Sequence, residues 1–204
     1  MAVKPKLTYF NCRGSGEPIR YLLAYGNTEY EDVRFEDEEF PKLKPNFPYG
    51  QVPVLEINGK MIPQTLAICR YLAKRNGLYG SDDFEAMQID AVADAIVDLR
   101  NAFTFCYWIT PEDQRPAHEE KLKKQTLPFY LSRFEKSLQE NNGYFVNGKL
   151  SYADIFFAGQ VQHFSDNTKY DITDGYPQLK ALVEKVENIP QIKAWIEKRP
   201  KTDF

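Results

Sequence analysis

The chain has 204 residues, 43% of them hydrophobic, and its 26 basic and 29 acidic side chains leave a net charge of −3. It is too apolar and too weakly charged to be disordered, and it can fill one large core or two small ones. The slight negative charge, with no Lys/Arg run, excludes nucleic acid or a membrane surface as main partner, and no apolar run approaches the ~20 residues of a bilayer span. The stretch MAVKPKLTYFN lacks a signal-peptide core, and three scattered cysteines (Cys12, Cys69, Cys106) point to a reducing, cytoplasmic setting rather than a disulfide framework. With two histidines, His118 and His163, against 13 tyrosines, a zinc site is nearly excluded and tyrosine is the abundant candidate to activate a nucleophile.

Lys6–Phe10 (KLTYF) reads as a strand, followed by the turn NCRGSG and a helix over Glu17–Tyr25, with Ile19, Leu22 and Leu23 at helical spacing and Gly26 as C-cap. Tyr30–Phe35 alternates like a second strand. Pro41, Pro45 and Pro48 limit Glu38–Tyr49 to little more than one helical turn. Pro53–Ile57 and Lys60–Ile62 flank Asn58-Gly59 as a tight hairpin, and Thr65–Arg75 is a helix stopped by Asn76-Gly77. The first two strands, joined by a helix, should be parallel and the last two antiparallel. Past Gly80–Phe84 (GSDDF) only helical periods follow: Ile89 to Phe103, Leu127 to Leu138, Tyr152–Phe164, Gln178–Glu187 and Gln191–Lys198. Residues 1–78 hold 11 basic and 9 acidic groups and the remainder 15 and 20, so a mixed domain of net +2 precedes a helical one of net −5.

Tyr9 closes the first strand, where open α/β sheets place ligands; its alternative is packing at the rim of the core. Cys12, at a helix start, is a rival redox nucleophile, but Ser15 replaces the second cysteine of a C-x-x-C pair, leaving only a monothiol route or a spectator thiol. Val52-Pro53 marks a strand start, with a cis bond as one of its two isomers. Gln64-Thr65 opens a helix suited to a carboxylate, or is plain capping by Thr65. Asp90, Asp94 and Asp98 line one helix face about 6 Å apart, as a solvated stripe, a metal site or a subunit contact. Ser151-x-x-Asp154 is a capping box flanked by Leu150 and Ile155, so Asp154 is structural.

The segments KLTYFNCRGSGEPIRYLLAY, PYGQVPVLEINGK, PQTLAICRYLAK and LSYADI follow the order seen in glutathione transferases, and the resemblance runs to the ending IPQIKAWIEKRPKTDF. The chain resembles the sigma class of that family, which includes glutathione-dependent prostaglandin D synthase and the S-crystallins. The resemblance implies an α/β thioredoxin-like domain over residues 1–80 that binds glutathione. An all-α domain over residues 81–204 would shape the second-substrate pocket. Tyr9 would donate its hydroxyl proton to the glutathione sulfur; a free thiol has a pKa of ~8.5, and a donor aimed at sulfur favours the thiolate nucleophile. Further glutathione contacts would be Phe40, Lys44, the backbone of Val52, Gln64 and Thr65. Phe40 stands where a tryptophan is common, so any indole N–H bond is lost. Asp98 would reach across a two-fold homodimer to the neighbouring glutathione. Val97 replaces one acid of the divalent-cation site found in a relative, so no metal is expected.

The second-substrate pocket implied by the family is lined by Phe10, Arg13, Phe103, Tyr107, Phe156, Gly159, Gln160 and Phe204, with Arg100 adding a positive charge suited to an anionic electrophile. The activity implied is conjugation of glutathione to small hydrophobic electrophiles, as in detoxification, with peroxidase or isomerase chemistry on lipids as a related reading. A Cys12-dependent thiol transferase and a non-catalytic structural relative are the alternatives.

Overall fold

The computed structural model describes residues 4–202. A four-stranded sheet has the order β2-β1-β3-β4, from β1 (Lys6–Phe10), β2 (Glu31–Phe35), β3 (Val54–Ile57) and β4 (Lys60–Pro63). β1 is parallel to β2, as a helical crossover requires, and antiparallel to β3. β3 turns back into β4 through Asn58 (φ 51°) and Gly59 (φ 74°), both left-handed as a tight hairpin demands. Helix α1 (Glu17–Tyr25) joins β1 to β2, and the proline-rich stretch before β3 is broken into single turns around α2 (Phe40–Leu43). Val52-Pro53 is cis. Helix α3 (Thr65–Arg75) ends this half at Gly77 (φ 69°).

The helical half comprises α4 (Asp83–Thr104), α5 (Arg115–Lys121), α6 (Leu127–Glu140), α7 (Tyr152–Thr168), α8 (Pro177–Glu187) and α9 (Pro190–Lys198). Helix α7 is its axis: every residue from Ser151 to Gln160 is buried. Asp154 explains the start of α7. Its carboxylate accepts from the Phe145 amide (2.9 Å), the Ser151 amide (2.7 Å) and the Ser151 hydroxyl (2.7 Å). The capping box is therefore also a clamp on the preceding loop. Short α5 carries no periodic apolar face and none of its residues is buried, so hydrophobic spacing does not reveal it.

Gly26 is the C-cap of α1 as expected, by a different route, and the reading of the α4 stripe changes. Gly26 sits at the end of α1, but with φ −78° it is not the left-handed step, which falls on Asn27 (φ 47°). A glycine is needed because a Cβ there would lie 2.5 Å from the Asn76 side chain, which caps the helix through Leu22 O. The acidic stripe of α4 divides. Asp98 and Asp94 are exposed, whereas half-buried Asp90 accepts from Arg70 Nε (2.8 Å), Tyr79 Oη (2.7 Å) and Tyr152 Oη. Asp90 thus fastens α3 and α7 to α4 within one chain.

The two halves share one continuous core. Gly159 on α7 backs onto Pro18 on α1, leaving only 3.0 Å for a Cβ. A buried ionic cluster adds to this: Glu17 accepts from Arg20 Nη1 (3.1 Å), Arg199 Nη1 (2.7 Å) and Trp195 Nε1 (2.8 Å). Burial alone would raise the Glu17 pKa, but the two guanidinium groups hold it below the ordinary carboxylate value.

Candidate active site

The central strand β1 carries Tyr9 to the carboxyl end of the sheet, and the register pairing Thr8 with Val54 brings Val52-Pro53 alongside. The ring is 8% exposed. Two glycines of the following turn make room for it: a Cβ on Gly14 would sit 2.8 Å from the phenol oxygen, and one on Gly16 2.7 Å from the ring. The Ser15 amide donates to Tyr9 Oη at 3.1 Å, orienting the hydroxyl. Among the described residues that hydroxyl gives its own proton to no acceptor.

Burial pushes the Tyr9 pKa up to about 12, with Cys12 adding to the rise and Ser15 and Arg100 opposing it. At neutral pH the phenol therefore keeps its proton, which suits a hydrogen-bond donor and not a general base. Cys12 is also pushed up, to about 11, again by burial, against the pull of Arg20. A protonated, partly covered thiol is a poor nucleophile.

The helical half grips this turn. Gln160 Nε2 donates to Gly14 O at 2.7 Å, and Arg100 Nη1 donates to Ser15 Oγ at 3.1 Å. Arg13 pairs with Asp166 and donates to Thr202 O at 2.9 Å. It is a buried strap, and its charge is already matched. Phe156, Gly159 and Gln160, which the family resemblance implies line the pocket, are all buried on α7. Phe103 is buried against Phe164 with ring centroids 4.4 Å apart, and Tyr107 donates to Glu119 at 3.1 Å. Phe204 lies outside the described residues.

On the sheet side, Phe10 meets Phe40 edge-on (centroids 5.0 Å) and Lys44 Nζ lies 6.0 Å from the Phe40 ring centre. Gln64 adopts φ 78°, rare for a residue with a side chain, in the N-cap position of α3, with no side-chain cap bond. Thr65 is the first residue of the helix, so plain capping by Thr65 does not describe this end. The unsatisfied amides of a helix start favour a carboxylate. Asp98 is on the exposed face of α4, away from these groups in sequence and without an ion pair among the described residues.

Two contributors carry no sequence signal. Ser15 orients Tyr9 through its backbone amide, which any residue but proline possesses. His163 on α7 is held at a pKa of about 4 by burial, with Arg13 and Arg100 lowering it further, so it is neutral at physiological pH. Among the described residues, no helix is long and apolar enough to cross a membrane, and no group of three or more His, Cys, Asp or Glu is placed to hold a metal ion.

The family model described as "Glutathione S-transferase, N-terminal domain" matches residues 5–74, and "Glutathione S-transferase, C-terminal domain" matches residues 97–199. Glutathione S-transferase S1 of Drosophila melanogaster is 44% identical over 200 residues, 97% of this chain and 79% of that protein. The structure of prostaglandin synthase D of Nilaparvata lugens superposes with a TM-score of 0.93 at 45% identity, covering 98% of this chain and 100% of that one. Na-GST-3 of the hookworm Necator americanus, described as monomeric, has a TM-score of 0.86 at 35% identity, covering 99% and 100%. With both domain models matched and these identities over nearly the whole length, the chain belongs to the glutathione S-transferase family.

Proposed function

We propose that the protein binds glutathione along β1, β3 and the start of α3, and that Tyr9 donates its hydroxyl proton to the glutathione sulfur. The observation that carries this is the Tyr9 hydroxyl: buried, aimed by the Ser15 amide, still protonated at neutral pH and with its proton unused. A donor so placed favours thiolate over thiol, and the thiolate adds to, or displaces a group from, a small hydrophobic electrophile. Gln64, Thr65 and the amides of α3 take the γ-glutamyl carboxylate, with Phe40, Lys44 and the Val52 backbone along the rest of the peptide. Phe10, Phe103 and Tyr107 supply the apolar side of the second-substrate pocket.

The likeness to a protein described as prostaglandin synthase D favours a second activity, glutathione-dependent isomerisation or peroxide reduction of lipids by the same thiolate. We assign the chain to the sigma class, in a cytoplasmic setting, with domains dividing near residue 80. We also assign it a homodimer through the exposed face of α4, where Phe84 and Met87 are uncovered and Asp98 projects toward a partner; sedimentation tests this, a monomer at working concentration refuting it.

Kinetics of Tyr9→Phe and Cys12→Ser against a model aryl halide test the central reading. Tyr9→Phe should lower kcat/KM about 10–100-fold while glutathione affinity changes little. Cys12→Ser should leave kcat/KM within about twofold, because burial already keeps that thiol protonated. Full activity in Tyr9→Phe, or a large loss in Cys12→Ser, overturns the assignment.

A further inference from the structure

The following rests on the glutathione reading above. Half-buried Arg100 differs from the other arginines drawn beneath the surface around the site. Arg13, Arg20, Arg34 and Arg199 each hold a carboxylate, from Asp166, Glu17 and Asp32, Asp32, and Glu17 respectively. Arg100 holds none among the described residues; its bonds run to two neutral oxygens, Ser15 Oγ at 3.1 Å and Asn101 Oδ1 at 3.4 Å. A cation withdrawn from water without a counter-charge is costly, and burial does lower the Arg100 pKa. The charged and titratable groups that act on it are Tyr9 and Cys69, with His163 beside them, all uncharged at neutral pH.

The bond to Ser15 gives this cation a direction. Ser15 is also the residue whose amide donates to Tyr9 Oη at 3.1 Å, and its amide and hydroxyl both hold the phenol pKa down. The Arg100 guanidinium donates to the Ser15 hydroxyl and the Ser15 amide donates to the phenol oxygen, so both donations run one way through a single residue in a weakly screened setting. We propose that Arg100 is a positioning residue for thiol activation: through Ser15 it strengthens Tyr9 as a donor, and its missing counter-charge is the glutathione thiolate formed at the end of the chain. No group is transferred in this step; the thiol proton leaves to solvent and the negative charge stays on sulfur. Glutathione activation then requires the helical half, because α4 supplies the cation and the sheet supplies the donor.

The bound thiol is titrated by its ultraviolet thiolate absorbance in the wild type, Arg100→Gln, Arg100→Lys, Ser15→Ala, Tyr9→Phe and the Arg100→Gln/Ser15→Ala double variant, with glutathione affinity measured by calorimetry. Arg100→Gln should raise the apparent thiol pKa by about 0.5–1, cutting the thiolate present at neutral pH about three- to tenfold, with glutathione affinity within about twofold. Arg100→Lys should recover part of the shift. Ser15→Ala should raise the pKa too, and the double variant should add little to Arg100→Gln alone. An unchanged titration in Arg100→Gln overturns the proposal, as does an effect confined to the KM of a carboxylate-bearing electrophile, which would make Arg100 a receptor for the second substrate. If wild type shows no thiolate on binding glutathione, the Tyr9 reading itself fails; if Tyr9→Phe shifts the titration and Arg100→Gln does not, only the role of Arg100 falls.

Discussion

Tyr9 and Asp154 are two buried oxygen acceptors, each placed beside a turn that leads into a helix, and each accepting backbone N–H groups. Asp154 spends both oxygens, on the amides of Phe145 and Ser151 and the hydroxyl of Ser151, and its neighbourhood is closed. Tyr9 takes one amide and keeps a proton for which the described residues provide no acceptor. Equal burial therefore serves opposite ends: a completed polar network fixes a fold, and an uncompleted one leaves a group able to act on a ligand.

Asp154→Ala tests the closed side and should have the largest effect. It leaves the Phe145 and Ser151 amides unpaired inside the protein, at about 2–4 kcal/mol of stability in chemical denaturation. Glutathione turnover per folded molecule should persist. A variant that stays stable but loses turnover would reverse the roles assigned to the two acceptors.

Gly16→Ala tests the open side with an intermediate effect. Its φ of −80° suits alanine, so the consequence comes from the Cβ meeting the Tyr9 ring at 2.7 Å. Displacing the ring should cost about 1–3 kcal/mol and depress kcat more than glutathione affinity. Unaltered kcat would show that the phenol position is not critical.

The smallest effect is in the pH dependence of stability. His163 has a folded pKa of about 4, below its ordinary value near 6.5, so its stabilising share is complete above 6.5 and is lost as pH falls through 4. Asp154 runs the other way. Burial lifts it to about 6 from an ordinary value near 4, so its share is complete below 4 and is lost as pH rises through 6. Melting curves from pH 4 to 7 should show His163→Asn losing less stability than wild type on the acid side, by a few degrees. Identical acid limbs would mean that His163 is not buried as neutral imidazole.

What could be read in advance was local. The Asn58-Gly59 turn, the Ser151-x-x-Asp154 box and the pairing sense of the strands each follow from residues within a few positions of one another, or from chain connectivity. The Asp90 hub was not legible because its donors Arg70 and Tyr152 lie 20 and 62 positions away. The same applies to Glu17, whose partners Trp195 and Arg199 come from the far end of the chain. The Arg13–Asp166 pair is illegible for the same reason, its members lying 153 positions apart. Tyr9 was singled out by its place at a strand end and by family resemblance, yet the residue that aims it, Ser15, acts through its backbone and leaves no mark in composition.

The Glu17 cluster bears on how the molecule can be handled as parts. Cutting the chain after α3 would isolate a sheet with its helices, but it would also remove two of the three donors that neutralise a carboxylate 1% exposed. Arg20 alone would then face that carboxylate, and losing an ion-pair partner and an N–H donor costs about 1–3 kcal/mol, a sizeable share of what a small domain has to spare. The sheet-bearing half is therefore not a transferable module. Exchanging it between relatives calls for carrying Trp195 and Arg199 along with it, and a chimera is best drawn by the contacts of Glu17 rather than by the linker.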